Sequence, residues 1–226
     1  MIGYGLPEPP MNLGETLDGK DPDGVLTNES KLGQVHVFAA KPYTATNAVG
    51  GKQLYTGKPI VAVLLRNTSG LTLLGKRLGQ LDRTAGYAMT KNVDGYSTTL
   101  ANQGVVLIDP YLPAAGVADD DIFWGIIKGP VPVLMPLVST DHASTADIAV
   151  NDPLVAATGT TTGATTSGRV TKFTMVNATA GNSDVGLQAF RHAYACIGRA
   201  MSAKTSQETT AAETNVILVD LALRYW

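Results

Sequence analysis

The stretch Asp121 to Ser139, DIFWGIIKGPVPVLMPLVS, decides the fold class. Two apolar runs, Ile122 to Ile127 and Val131 to Val138, flank Lys128-Gly129-Pro130. Both runs are rich in β-branched and aromatic residues, which suit a pleated, half-buried surface. Gly with Pro supplies the special φ values of a reversal. The spacing predicts two strands that meet at a hairpin. Pro130, Pro132 and Pro136 qualify the second run: proline gives no N–H to a ladder, so that run belongs at a sheet edge or carries bulges.

Upstream, Lys58 to Arg66 (KPIVAVLLR) predicts a strong strand, with Asn67-Thr68-Ser69-Gly70 as its turn, Leu71 to Leu74 as the return and Leu78 to Leu81 as an extension of that hairpin. Gln34 to Ala40 alternates, with Val35, Val37 and Ala39 on one face and His36 and Phe38 on the other. Tyr87 to Leu100 is polar and weakly patterned. Gly104 to Ile108 is a short buried strand stopped by Asp109-Pro110. Downstream, Asp152 to Ala157 and Arg169 to Val176 predict two short strands around a Thr- and Gly-rich tip, and Asn215 to Trp226 (NVILVDLALRYW) a closing strand.

Leu187, Phe190, Tyr194, Ile197 and Met201 recur at helical spacing, with Ser183 or Asp184 placed to cap. Gly186 and Gly198 oppose a helix by about 1 kcal/mol each. The reading is a short helical or irregular stretch near Leu187, then a strand from about Ala193. Met1 to about Val25 carries Gly3, Gly5, Pro7, Pro9, Pro10, Gly14, Gly19, Pro22 and Gly24 and no apolar period. Such a segment gains order only by lying on its own domain or on a neighbouring subunit. The expected fold is therefore mainly β: an antiparallel β-barrel or sandwich over 34–226, with an extended N-terminal arm over 1–33 and at most one short helix. The barrel region could divide near 101–120 into two small β subdomains.

Apolar residues make up 44% of the 226, enough for a core, whereas charged residues are 16%, below the roughly 25% usual in soluble domains. With 24 glycines and many threonines, much of the surface is neutral and polar, which suits contact with other protein. A net charge of −2, with 17 basic residues forming no run, argues against nucleic acid and against a polybasic membrane patch. No run reaches the ~18 apolar residues of a membrane span, and MIGYGLPEPP lacks the pattern of a secretory signal, so synthesis in a cytoplasm is expected. Cys196, the one cysteine, reads as a buried small hydrophobe.

Motifs for chemistry do not assemble. His36, His142 and His192 lie far apart with no ligand-type neighbour at a metal spacing. Asp18, Asp21 and Asp23 before Gly24 fail the calcium-loop spacing, because the first and last ligand positions would be Gly19 and Ser30. Asp119-Asp120-Asp121 reads as a solvated loop that guards a sheet edge rather than a cation site. Ser139, Asp141 and His142 are loop neighbours with no sign of an oxyanion hole. Gly50-Gly51-Lys52 lacks the upstream glycine of a phosphate loop. Asn28, Asn67 and Asn177 open glycosylation-acceptor triplets that mean little without a secretory signal. The expectation is no catalytic residue, no cofactor and no metal.

Four phrases, RNTSGLTLLGKRLGQLD (Arg66 to Asp82), FWGIIKGPVPVLMP (Phe123 to Pro136), DIAVNDPLVAA (Asp147 to Ala157) and CIGRAMSAKTS (Cys196 to Ser206), together resemble the small β-barrel head decoration, or cement, proteins of tailed bacteriophages. In that family, turn phrases of the Asn-Thr-Ser-Gly and Asn-Asp-Pro-Leu kind alternate with short strands, and an Ile-Gly-Arg-Ala phrase precedes the last strand. The similarity covers roughly Lys58 to Trp226; the N-terminus is longer than usual. The resemblance implies a virion structural protein, not an enzyme, that binds the outside of an icosahedral capsid, commonly as a homotrimer, and joins neighbouring major capsid subunits. On this reading 1–33 is a reaching arm. The alternatives are another virion component, such as a tail, fibre or minor capsid subunit, and, further off, a glycan-binding or glycan-cleaving β-protein, which would need two convergent carboxylates.

Overall fold

The computed structural model describes residues 8–39, 43–44, 53–54, 57–82, 91–97, 104–135, 148–156, 168–173, 195–203 and 216–223. Among them the chain is almost entirely β, with a single turn of 3-10 helix at Glu29–Lys31. In order, the strands are β1 (Val35–Phe38), β2 (Tyr43–Thr44), β3 (Gln53–Leu54), β4 (Ile60–Asn67), β5 (Leu78–Leu81), β6 (Asn92–Tyr96), β7 (Val105–Ile108), β8 (Ile122–Leu134), β9 (Pro153–Ala156), β10 (Val170–Lys172), β11 (Cys196–Ala200) and β12 (Val216–Ala222).

Strand β8 corrects the expected hairpin. Ile122 to Leu134 is one continuous strand of 13 residues, and Lys128-Gly129-Pro130 lies within it. Its first part pairs antiparallel with β4, and its second part, Lys128 to Leu134, pairs antiparallel with β12. Between the two parts the register slips, since Val61 faces Lys128 while Ala62 faces Ile126. The extra residue is a β-bulge, which bends a strand and lets it pass from one sheet to another. Side-chain alternation records the slip: Trp124 and Ile126 share a core cluster with Val131 and Val133, so even numbers face it before the bulge and odd numbers after. Gly129 is required there, because its φ is 116° and a Cβ would come within 2.4 Å of the Pro59 carbonyl oxygen. Gly and Pro serve bulges and turns alike, which is why the segment reads as a reversal from sequence.

The prolines fit this arrangement. N–H groups alternate sides along a strand, so Pro130, Pro132 and Leu134 share one side, and Leu134 uses it to donate to the Lys76 carbonyl. Val131 and Val133 are left to serve β12, and the ladder loses no donor.

Strands β4, β6, β5, β7 and β8 close into a ring: β4 pairs with β6, β6 with β5, β5 with β7, β7 with β8, and β8 with β4. The β4–β6 pair is parallel, through Arg66 to Asn92 and Asn67 to Val93, and among the described strands is the one departure from the expected antiparallel order. Inside the ring Val63, Leu65, Leu81, Val93, Val106, Ile108, Phe123 and Ile127 form one cluster, joined by Leu73 and Val117. The other faces of the same strands, with Ile60, Ala62, Leu64, Val105, Leu107, Ile122, Trp124 and Ile126, form a second cluster. Completing that second cluster is a sheet in the order β8-β12-β11-β9-β10, through Ile217, Val219, Leu221, Ile197, Leu154 and Val170. A small barrel thus shares β8 with a sheet laid over its outside, the mainly β barrel or sandwich expected from the sequence. The chain on either side of 101–120 belongs to the same barrel wall, since β4 before it pairs with β8 after it.

Other expectations shift. Asn67-Thr68-Ser69-Gly70 does turn the chain, but Leu71 to Leu74 does not return along β4: Leu73 bridges to Val117. Leu78–Leu81 is an independent strand between β6 and β7, not an extension of that hairpin. Strand β6, NVDGY, lies inside the segment read as weakly patterned. The β9–β10 pair forms as expected, while its tip, 157–167, lies outside the described residues. Ile197 and Gly198 are in β11, and the helical reading near Leu187 falls outside the described residues.

Candidate functional site

The N-terminal arm, 8–33, lies along its own barrel. Met11, Leu13 and Leu32 are buried in the outer cluster, and each such side chain contributes about 2 kcal/mol of burial. The fully buried Trp124 donates its indole N–H to the Met11 carbonyl at 3.1 Å. On the rest of its ring it takes the edges of His36 and Phe38, at centroid distances of 5.4 and 5.2 Å. His36 is therefore a packing residue of β1, on the same face as Phe38 and opposite to Val35 and Val37. The buried carboxylate of Asp109 accepts the Gly14 N–H at 2.5 Å and the Tyr111 N–H at 2.9 Å. Leu17 and Ile122 exchange backbone hydrogen bonds at 3.0 and 2.9 Å. Arg66, also buried, donates to the carbonyls of Thr27 at 2.7 Å and Gly19 at 3.4 Å, and pairs with Glu29 at 3.4 Å. At Gly19 a Cβ would fall 1.5 Å from the Asp120 carbonyl oxygen, so only glycine lets the arm backbone lie on that loop.

Burial and charge leave marks on the titrating groups of this seam. The Tyr111 phenol is pushed up to about 12, first by burial and second by the Asp109 charge. Burial also raises the Asp121 carboxyl above its ordinary value; the Asp18 and Asp120 charges add to this, and N–H groups of Gly19 and Ala118 oppose it.

The acidic clusters are structural. Asp21 accepts the N–H groups of Asp23 and Val25, closing the turn of a small hairpin in which Lys20 bridges to Leu26. Asp119 accepts the Gly70 N–H at 2.8 Å, and Asp120 forms an ion pair with Lys20. Among the described residues, no group of three or more His, Cys, Asp or Glu is placed to hold a metal ion. Asn67 is buried, and its amide donates to the carbonyls of Leu71, Val117 and Ala118 while its oxygen accepts from Ser69. Its triplet is thus the pin of a corner; sequence alone ranked it only as a turn. Cys196 is half-buried, not fully buried as expected; it stands where the β11 register shifts, and its thiol donates to the Gly198 carbonyl at 3.3 Å.

His142, His192, Ser139, Asp141, Gly50-Gly51-Lys52 and Asn177 lie outside the described residues. No described helix is long and apolar enough to cross a membrane. What the described surface does offer is apolar side chains left in solvent. Val25 (61% exposed) and Leu26 sit on the arm hairpin, Val35 and Val37 (63%) on β1, Leu71 beside the Asn67 corner, and Val150 before β9. Among the described residues β1 pairs with β4 alone, so Val35 and Val37 stand on an edge strand. The sequence showed their alternation but not which face would be covered.

Comparison with protein-family models, with curated proteins and with solved structures finds no match to this chain.

Proposed function

We propose that this chain is a virion structural protein that binds the outer surface of an icosahedral phage capsid and joins neighbouring capsid subunits. The observation that carries the reading is the exposed apolar set on the arm hairpin and the β1 edge, Val25, Leu26, Val35 and Val37, on a chain with few charges. Solvent-facing valines on an edge strand are a liability unless another protein covers them. Of the phrases behind the resemblance, the one at Phe123 to Pro136 holds a bulge within β8 rather than a turn. Asn67 to Gly70 is a corner, Asn151, with φ of 74°, turns into β9, and Ile197 to Ala200 lies in β11 beside the last described strand, β12.

The arm's part differs from the expectation. Residues 8–33 are engaged on their own barrel, so the surface offered to a shell is the barrel with the arm in place. Binding only to assembled shell would stabilise it by mass action, about 2.7 kcal/mol at a hundredfold excess over Kd. The test is co-sedimentation of the purified protein with empty heads and, separately, with tails of the virus that encodes it. Binding to heads supports the proposal; binding to tails alone, or to neither, refutes it.

A further inference from the structure

We infer that the outer edge of β1 is a strand-addition site: an extended segment of a capsid subunit pairs main chain to main chain with Val35 and Val37. The inference rests on the capsid reading above and deepens it, from a covered apolar patch to one mode of contact.

The register fixes which main-chain groups are open. Leu64 accepts the Gly33 N–H at 2.8 Å and donates to the Gln34 carbonyl at 2.9 Å, a bulge made possible by the φ of 82° at Gly33. Past it, Val35 stands opposite Val63, His36 opposite Ala62, Val37 opposite Val61 and Phe38 opposite Ile60. Hydrogen-bonded and open pairs alternate along an antiparallel ladder, so His36 and Phe38 turn their N–H and C=O groups to β4. Val35 and Val37 turn theirs outward, and among the described residues those groups meet no partner.

Chemistry limits what can cover such an edge. A surface that buries the two valines also takes the adjoining N–H and C=O groups out of water, and each one left unpaired is costly. Another extended chain supplies both donors and acceptors at matching spacing. The edge carries none of the usual guards, since Gln34 to Ala39 holds no lysine, proline or carboxylate. At the opposite end of the sheet, β10 carries Lys172, in an ion pair with Asp152. The segment that fits β1 is therefore uncharged, with apolar side chains at alternate positions to lie beside Val35 and Val37.

Co-sedimentation with empty heads, repeated with two variants at one position, is the test. Val37→Pro deletes an outward N–H that β4 does not use, and proline is tolerated on an edge strand, so the fold is kept while strand addition is blocked. Val37→Thr keeps the main chain and the β-branched shape. Head binding is expected to weaken about tenfold or more in Val37→Pro and by about threefold or less in Val37→Thr. A folded Val37→Pro that binds heads like the natural chain overturns strand addition and leaves the capsid reading standing. A natural chain that does not bind heads overturns both. If Val37→Pro does not fold, hydrogen exchange of the natural chain decides: the Val35 and Val37 amides should gain protection on head binding, and unchanged exchange there overturns the proposal. Self-association of the free chain that Val37→Pro abolishes would assign the edge to a second copy and overturn the capsid segment as its occupant.

Discussion

The Asp109 carboxylate, at the end of β7, accepts the N–H of Gly14 at 2.5 Å and so fastens the first part of the chain to the barrel wall. The same carboxylate takes the Tyr111 N–H at 2.9 Å, and it is fully buried. Replacing Asp109 by alanine leaves two half-buried donors without their acceptor, at the lower end of about 1–3 kcal/mol each, so Asp109→Ala is expected to lower unfolding free energy by about 2 kcal/mol. Urea denaturation followed by tryptophan fluorescence checks it.

Tyr111 provides a pH signature. Its phenol is held at about 12 against an ordinary 10.0, so between those values the unfolded chain has lost a proton that the folded chain keeps. Stability is therefore full below pH 10 and falls as pH rises through 12. Tyr111→Phe should flatten that alkaline limb in a series of urea melts. In Asp109→Ala the phenol should drop only part of the way, because burial is the larger cause.

At the bulge, Gly129→Ala meets both a left-handed φ and the Pro59 carbonyl, so it is expected to cost about 3 kcal/mol or more. A loss below about 1 kcal/mol, the scale of a lone Gly-to-Ala change, would mean that the strand does not pass through this point as described. Thermal unfolding by circular dichroism reads the difference.

Asp152 acts at the acid end. Its carboxyl is held below the ordinary value, first by the Lys172 side chain, 2.7 Å away, and then by the Ala149 N–H. A depressed carboxyl contributes stability that is present above its unfolded value and lost as pH falls through the folded one. Asp152→Asn should be less stable than the natural chain at neutral pH and converge with it in acid.

Much of this architecture is legible in the sequence where a strand is buried on both faces. β4 and β7 read as apolar runs because their alternate side chains serve both clusters, β12 is apolar but for Asp220, and β1 shows a clean alternation. β6 is not legible: of its five residues only Val93 is a buried hydrophobe, and its place is set by partners on β4 and β5. The Lys128-Gly129-Pro130 reversal failed because φ > 0 and a missing N–H mark bulges as well as turns. The arm's composition announced an extended segment. Where it lies was hidden, because its seat is made of main-chain atoms that every sequence carries. Asn67 likewise looked like a turn residue, and only the structure shows its amide serving three carbonyls; Asn67→Ala should cost about 3 kcal/mol.

The exposed valines separate folding from assembly. Val35→Asp with Val37→Asp alters solvent-facing side chains and should cost about 1–2 kcal/mol, from lost strand propensity, without unfolding the chain. The same pair should abolish co-sedimentation with empty heads. A folded double variant that binds heads as well as the natural chain would remove β1 from the interface.

The most direct test of the cementing role is calorimetry of empty heads with and without the protein bound at saturation. The account predicts that the heads' melting temperature rises when the natural chain is bound and does not rise with the Val35→Asp, Val37→Asp variant. An unchanged melting temperature under saturating natural protein would contradict it.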